Sequence, residues 1–135
     1  MMAYLLDTSI CSQPLKRQPH LGVLERWDGL LNGEAFTARV CLAEIEWGLH
    51  KLGNARLWSG YRRDVLPSLR VVATGSGVWQ EWSRMKARQE ASGRRVDDLD
   101  LLIAASASWQ GLTLATLNAR HFSLIEGLNW EDWSG

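Results

Sequence analysis

Ala3-Tyr4-Leu5-Leu6-Asp7-Thr8-Ser9 decides how the rest of the chain reads. Four apolar residues stop abruptly at an acid and two hydroxyls, the pattern of a short buried strand running into a loop. Ala35-Phe36-Thr37-Ala38, Leu69-Arg70-Val71-Val72 and Leu112-Thr113-Leu114-Ala115-Thr116 repeat it, and Leu128-Asn129-Trp130 is a candidate fifth strand. Helical spacing fills the intervals: about Gly22 to Leu31, then Leu42, Ile45, Leu49 and Leu52 up to Gly53. Further helices are expected over Ala55 to Leu66 (stopped by Pro67), Val78 to Ala91 (capped by Gly93) and Asp98 to Trp109 (closed by Gly111). Strands interleaved with helices predict an α/β fold, a short parallel β-sheet covered by helices on both faces.

A single domain over residues 1–135 is expected, since 135 residues leave room for one core. Hydrophobic residues make up 46% and charged residues 22%, which excludes a disordered chain. Fifteen basic residues against fifteen acidic ones exclude the profile of a non-specific DNA coater, though not a local basic patch. No apolar run reaches the ~20 residues of a bilayer span, and the apolar opening ends at Asp7, so no membrane association and a cytoplasmic location are expected. Cys11 and Cys41 read as small buried thiols of a reducing compartment. Of eight tryptophans, Trp27, Trp47, Trp79, Trp82 and Trp109 fall at helical core spacing and are expected to be packing bulk.

In open parallel sheets the ligand crevice lies beyond the carboxyl ends of the strands. Asp7 follows the first strand, where it serves equally as a helix cap or as a group facing that crevice. Glu44 lies in the first turns of a helix whose apolar stripe excludes it; Glu46, on the same helix, has nothing to place it near the crevice. In Arg94-Arg95-Val96-Asp97-Asp98-Leu99-Asp100, Asp98 suffices as a cap and Asp97 assists the helix dipole. Asp100 leads straight into Leu101-Leu102-Ile103-Ala104-Ala105, where an ionised carboxylate needs a compensating partner. Asn118 follows the fourth strand. Four oxygen donors on separate segments suit Mg²⁺ or Mn²⁺, which keep several waters and bind phosphate oxygens. His20 and His50 read as surface bystanders. Lysine and acid placement argues against a response-regulator receiver, and Ser9 stands where a haloacid-dehalogenase-type phosphatase needs its second Asp.

Taken in order, Leu5-Leu6-Asp7-Thr8-Ser9, Ala43-Glu44-Ile45 with Gly48, Asp100-Leu101-Leu102-Ile103-Ala104-Ala105 with Ala107, and Thr116-Leu117-Asn118-Ala119-Arg120-His121-Phe122 resemble the PIN-domain family. The likeness is to VapC-type toxins of bacterial toxin–antitoxin pairs, including their FitB-like branch, to which Pro14-Leu15-Lys16 after Asp7-Thr8-Ser9-Ile10 is also similar. The resemblance implies a PIN-like three-layer sandwich and a Mg²⁺- or Mn²⁺-dependent endoribonuclease. It puts the acidic catalytic and metal site on Asp7, Glu44, Asp100 and Asn118, with Ser9 near the scissile phosphate. Arg39, Arg95 and Arg120 flank the crevice and are the candidate RNA contacts, with Lys16, Arg17 and Arg94 nearby. A cognate antitoxin and a homodimer are implied partners. Leu57, Trp58 and Tyr61 would offer the antitoxin an apolar strip or else belong to the core. Relatives often carry Asp where this chain has His121, which here is a solvated loop residue, a phosphate contact or a weakening of the metal site. That departure leaves one alternative function: a catalytically inactive PIN-fold binding protein acting only within a complex.

Overall fold

In the computed structural model, which describes residues 2–135, five strands form one sheet. They are β1 (Tyr4–Leu6), β2 (Ala35–Ala38), β3 (Arg70–Val72), β4 (Thr113–Thr116) and β5 (Trp130–Asp132), in the order β3-β2-β1-β4-β5. Every neighbouring pair is parallel, with Leu5 opposite both Phe36 and Leu114. Seven helices connect them: α1 (Thr8–Cys11), α2 (Leu21–Asp28), α3 (Arg39–Leu52), α4 (Ala55–Gly60), α5 (Ser76–Ala91), α6 (Asp98–Gln110) and α7 (Ala119–Phe122). The fifth strand begins at Trp130, two residues later than the expected Leu128, because Trp130 is the residue in register with Leu114.

Side chains alternate across a strand, so the central strands β1, β2 and β4 each feed two cores. Leu5 and Leu114 pack with Val78, Met85, Leu101, Ile103 and Phe122, from α5, α6 and α7. Tyr4, Leu6 and Ala115 pack on the opposite face with Ile10, Val23, Trp27, Leu42, Ile45 and Leu49, from α1, α2 and α3. This is the expected three-layer sandwich. Leu5 and Leu6 are both fully buried, each stabilising the fold by about 1.5–3 kcal/mol. The all-apolar run in α6 follows from its place: Leu101 to Ala107 are buried throughout, because α6 contacts α5 as well as β2 and β4. Among the described residues no helix is long and apolar enough to cross a membrane.

Several local expectations are corrected. Residues 55–66 do not make one helix: α4 ends at Gly60, a π turn spans Tyr61–Val65 and a 3₁₀ turn spans Leu66–Ser68. Pro67 has no N–H, and its ring collides with the carbonyl four residues back, so α-type bonding cannot persist there. Tyr61 belongs to the core at 1% exposure, and Leu57 and Trp58 are half-buried against the same cluster, which removes the open apolar strip. Trp47, Trp79 and Trp109 are exposed rather than core, and Trp82 is half-buried. Periodicity assigns a residue to a helix face but not what lies opposite that face. Trp133 is the fully buried one, edge-on to Tyr4 with ring centroids 5.5 Å apart.

Capping is also reassigned. Asp97, not Asp98, caps α6 by accepting the Leu99 N–H at 2.9 Å, while Asp98 pairs with Lys86 at 2.7 Å. His20 is no bystander: its Nδ1 accepts the Val23 N–H and caps α2. Both thiols are buried as expected, and burial pushes Cys41 up to about 12, which leaves it protonated and inert.

Candidate active site

The strand order reverses between β1 and β4, since the chain proceeds from β1 to β2 on one side and β4 lies on the other. In open parallel sheets such a reversal point, at the carboxyl ends of the strands, is where the connecting loops diverge and ligands bind. Asp7 stands at that point. Its backbone is tied across the seam by its N–H to the Ala115 carbonyl, 3.1 Å. Its side chain does cap α1, as one reading of the sequence has it: Oδ1 accepts the Ile10 N–H at 3.1 Å and the Ser9 hydroxyl at 2.5 Å. Oδ2 accepts the Thr116 hydroxyl at 2.6 Å. At 2% exposure, burial pushes the Asp7 carboxyl above the ordinary aspartate range, while the hydroxyl bonds from Ser9 and Thr116 pull it back.

These hydroxyls connect the neighbouring segments. Ser9 Oγ also accepts the Leu117 N–H at 2.9 Å, and Thr116 Oγ1 accepts the Asn118 N–H at 2.8 Å. Thr8 donates to Glu44 Oε1 at 2.5 Å, which carries the second turn of α3 to the end of β1. Glu46, two residues on and so about 200° around the helix, accepts instead from the Tyr61 hydroxyl at 2.7 Å. Asn118 is exposed, and among the described residues its amide has no hydrogen-bond partner.

Asp100 occupies the first turn of α6 with its side chain 20% exposed. The partner its partial burial demands is His121, on α7, whose Nδ1 lies 2.9 Å from Asp100 Oδ2. Burial raises the Asp100 carboxyl and the histidine works against that rise. His121 is therefore not a bare loop residue: it lies on α7 and is tied to Asp100. Arg95 and Arg120 line one depression of about 220 Å³ with Asp100 and His121. Arg39 is exposed at the start of α3, where its charge bears on Tyr61 rather than on that depression.

Asp7, Glu44 and Asn118 are thus linked through Thr8 and Thr116, and Asp100 joins through α7, three residues beyond Asn118. Among the described residues no three His, Cys, Asp or Glu side chains stand close enough to hold one ion between them. The donors are nonetheless hard oxygens only, which fits Mg²⁺ or Mn²⁺: such ions take one or two carboxylates and fill the remaining positions with water. Local sequence pattern does not mark Thr116 for a site role; a hydroxyl at the carboxyl end of a strand is the available signal.

The PIN domain family model matches residues 4–128. The tRNA(fMet)-specific endonuclease VapC of Shigella flexneri is 34% identical over 140 residues, covering 99% of this chain and all of that protein. Toxin FitB of Neisseria gonorrhoeae is 25% identical, covering 96% of this chain and 97% of FitB. Among solved structures, DNA-bound VapBC from Salmonella typhimurium superposes with a TM-score of 0.87 at 27% identity, covering 98% of this chain and 99% of that one. With nearly its whole described length matched, the chain belongs to the PIN domain family.

Proposed function

We propose that this protein is a Mg²⁺- or Mn²⁺-dependent endoribonuclease and the toxin of a toxin–antitoxin pair. The observation that carries this reading is the buried Asp7 carboxylate at the reversal of strand order, bound by hydroxyls from Ser9 and Thr116, with Glu44 on the adjoining helix. Relatives named ribonucleases and toxins over essentially the same length support it.

Asp7 and Asp100 would hold the cation, with Glu44 and Asn118 assisting. A divalent ion there supplies a water of lowered pKa and neutralises charge that builds on the phosphate as the bond breaks. The chain's own residues do the rest. Ser9 and Thr116 fix the Asp7 carboxylate, so that it need not reorganise when charge develops. Arg95 and Arg120, beside Asp100, would bind backbone phosphates of the RNA, and Arg39 is the more distant phosphate contact. The VapBC complex among the solved structures supports a cognate antitoxin as partner, and we place the protein in the cytoplasm as a homodimer. The alternative, an inactive binding protein, rested on the departure at His121; relatives named ribonucleases over essentially the whole chain favour the active reading instead.

The decisive experiment is RNA cleavage by purified protein freed of antitoxin, with Mg²⁺ or Mn²⁺ against EDTA. Asp7→Asn and Asp100→Asn are expected to abolish a metal-dependent activity. Equal cleavage by wild type and both variants would overturn the reading, as would absence of cleavage together with no Mn²⁺-induced rise in melting temperature.

A further inference from the structure

We propose that His121 is a positioning residue: it holds one oxygen of the Asp100 carboxylate so that the other is presented to the cation. The inference rests on the metal-dependent reading above and adds a role for a residue outside its acidic set.

His121 contributes little by packing, because its side chain is 58% exposed. Its backbone is held firmly all the same. The next residue, Phe122, is 1% exposed in the core beneath α6, and the His121 N–H bonds the Asn118 carbonyl at 3.0 Å. The ring is thereby anchored from below and projects one contact, Nδ1 to Asp100 Oδ2 at 2.9 Å. An ionised carboxylate only accepts, so Nδ1 carries the proton in this pair. Asp100 Oδ1 has no hydrogen-bond partner among the described residues, and neither has His121 Nε2.

The carboxylate therefore has one oxygen fixed and one available. Rotation about its last torsion, which is otherwise soft, is stopped by the histidine. Such outer contacts orient a ligand before the ion arrives, and losing one typically weakens metal binding ~10–100-fold. Asp97 already caps α6, so Asp100 is not required for the helix start and its side chain is available for this pairing.

Asparagine and glutamine separate the two ring nitrogens. The Asn amide nitrogen falls close to the position of Nδ1, and the Gln amide nitrogen close to that of Nε2. Mn²⁺ binding to antitoxin-free protein by calorimetry is the first readout, with RNA cleavage beside it. His121→Ala is expected to weaken Mn²⁺ binding about tenfold and to lower kcat while KM for RNA changes less than about twofold. His121→Asn should restore both Mn²⁺ affinity and kcat; His121→Gln should not. Unchanged Mn²⁺ affinity in His121→Ala, with wild type binding Mn²⁺, would overturn the positioning role alone. Rescue by Gln and not Asn would also overturn it, since that pattern assigns the work to Nε2 against the substrate. A wild-type protein that neither binds Mn²⁺ nor cleaves RNA would overturn the parent reading as well. Melting temperatures close to wild type in all three variants exclude misfolding as the cause.

Discussion

The hydroxyl of Thr116 donates to the Asp7 carboxylate at 2.6 Å, across the seam where the strand order reverses. The same oxygen accepts the Asn118 N–H at 2.8 Å, so one fully buried side chain joins β1, β4 and the loop that starts α7. Thr116→Val keeps the shape and removes both bonds. It is expected to cost about 1–3 kcal/mol in urea unfolding and to slow RNA cleavage at least about tenfold, with Thr116→Ser close to wild type. A valine variant that cleaves as fast as wild type would show that the bond serves folding only.

Asp7 is predicted to make the metal-free fold less stable at neutral pH than an amide would. Burial raises its folded pKa above the ordinary value of about 4. The native state then holds the proton more tightly than the unfolded chain, so this group favours folding at low pH. That contribution is lost as pH rises through the folded pKa. Asp7→Asn, measured in EDTA, should therefore melt above wild type at pH 7, and the gap should close as the pH falls toward about 4. A gap that is constant across that range would contradict the assigned direction.

Gly77 lets α5 and α6 approach. A Cβ built there would stand 2.2 Å from the Trp109 ring, inside any tolerable contact. Gly77→Ala is expected to destabilise by about 1–3 kcal/mol through overpacking. Because Trp109 is half-exposed at 51%, the indole can be removed cheaply, and Trp109→Ala combined with Gly77→Ala should recover most of the loss. Additive losses in that double-mutant cycle would mean that the clash is not with Trp109.

Trp133 closes the other core almost at the end of the chain. It is 1% exposed, edge-on to Tyr4, with the Arg26 guanidinium 4.6 Å above its ring. Trp133→Ala should cost about 3–5 kcal/mol, whereas Arg26→Ala should cost at most about 1 kcal/mol, as its cation–π contact is half in solvent. Denaturant midpoints for the two variants, with unchanged slopes, give the comparison.

Most of the strands were legible because they are short, largely apolar and bounded by turn residues, and the alternation with helices implied a parallel sheet. Asp7, Glu44, Asp100 and Asn118 stood out for a similar local reason: each is a polar group following or interrupting an apolar run. What local pattern could not supply was the identity of neighbours. Trp47, Trp79 and Trp109 have helical spacing yet face solvent, while Trp133, in a tail without periodicity, is buried. The bonds of Thr116 to Asp7 and of His121 to Asp100 join residues 109 and 21 positions apart. The sequence by itself therefore determined the elements, their alternation and the acids at their ends, since those depend on residues close along the chain. Strand order, burial and the partner of each carboxylate were decided by the tertiary structure alone, because they depend on which distant surfaces meet when the two cores close.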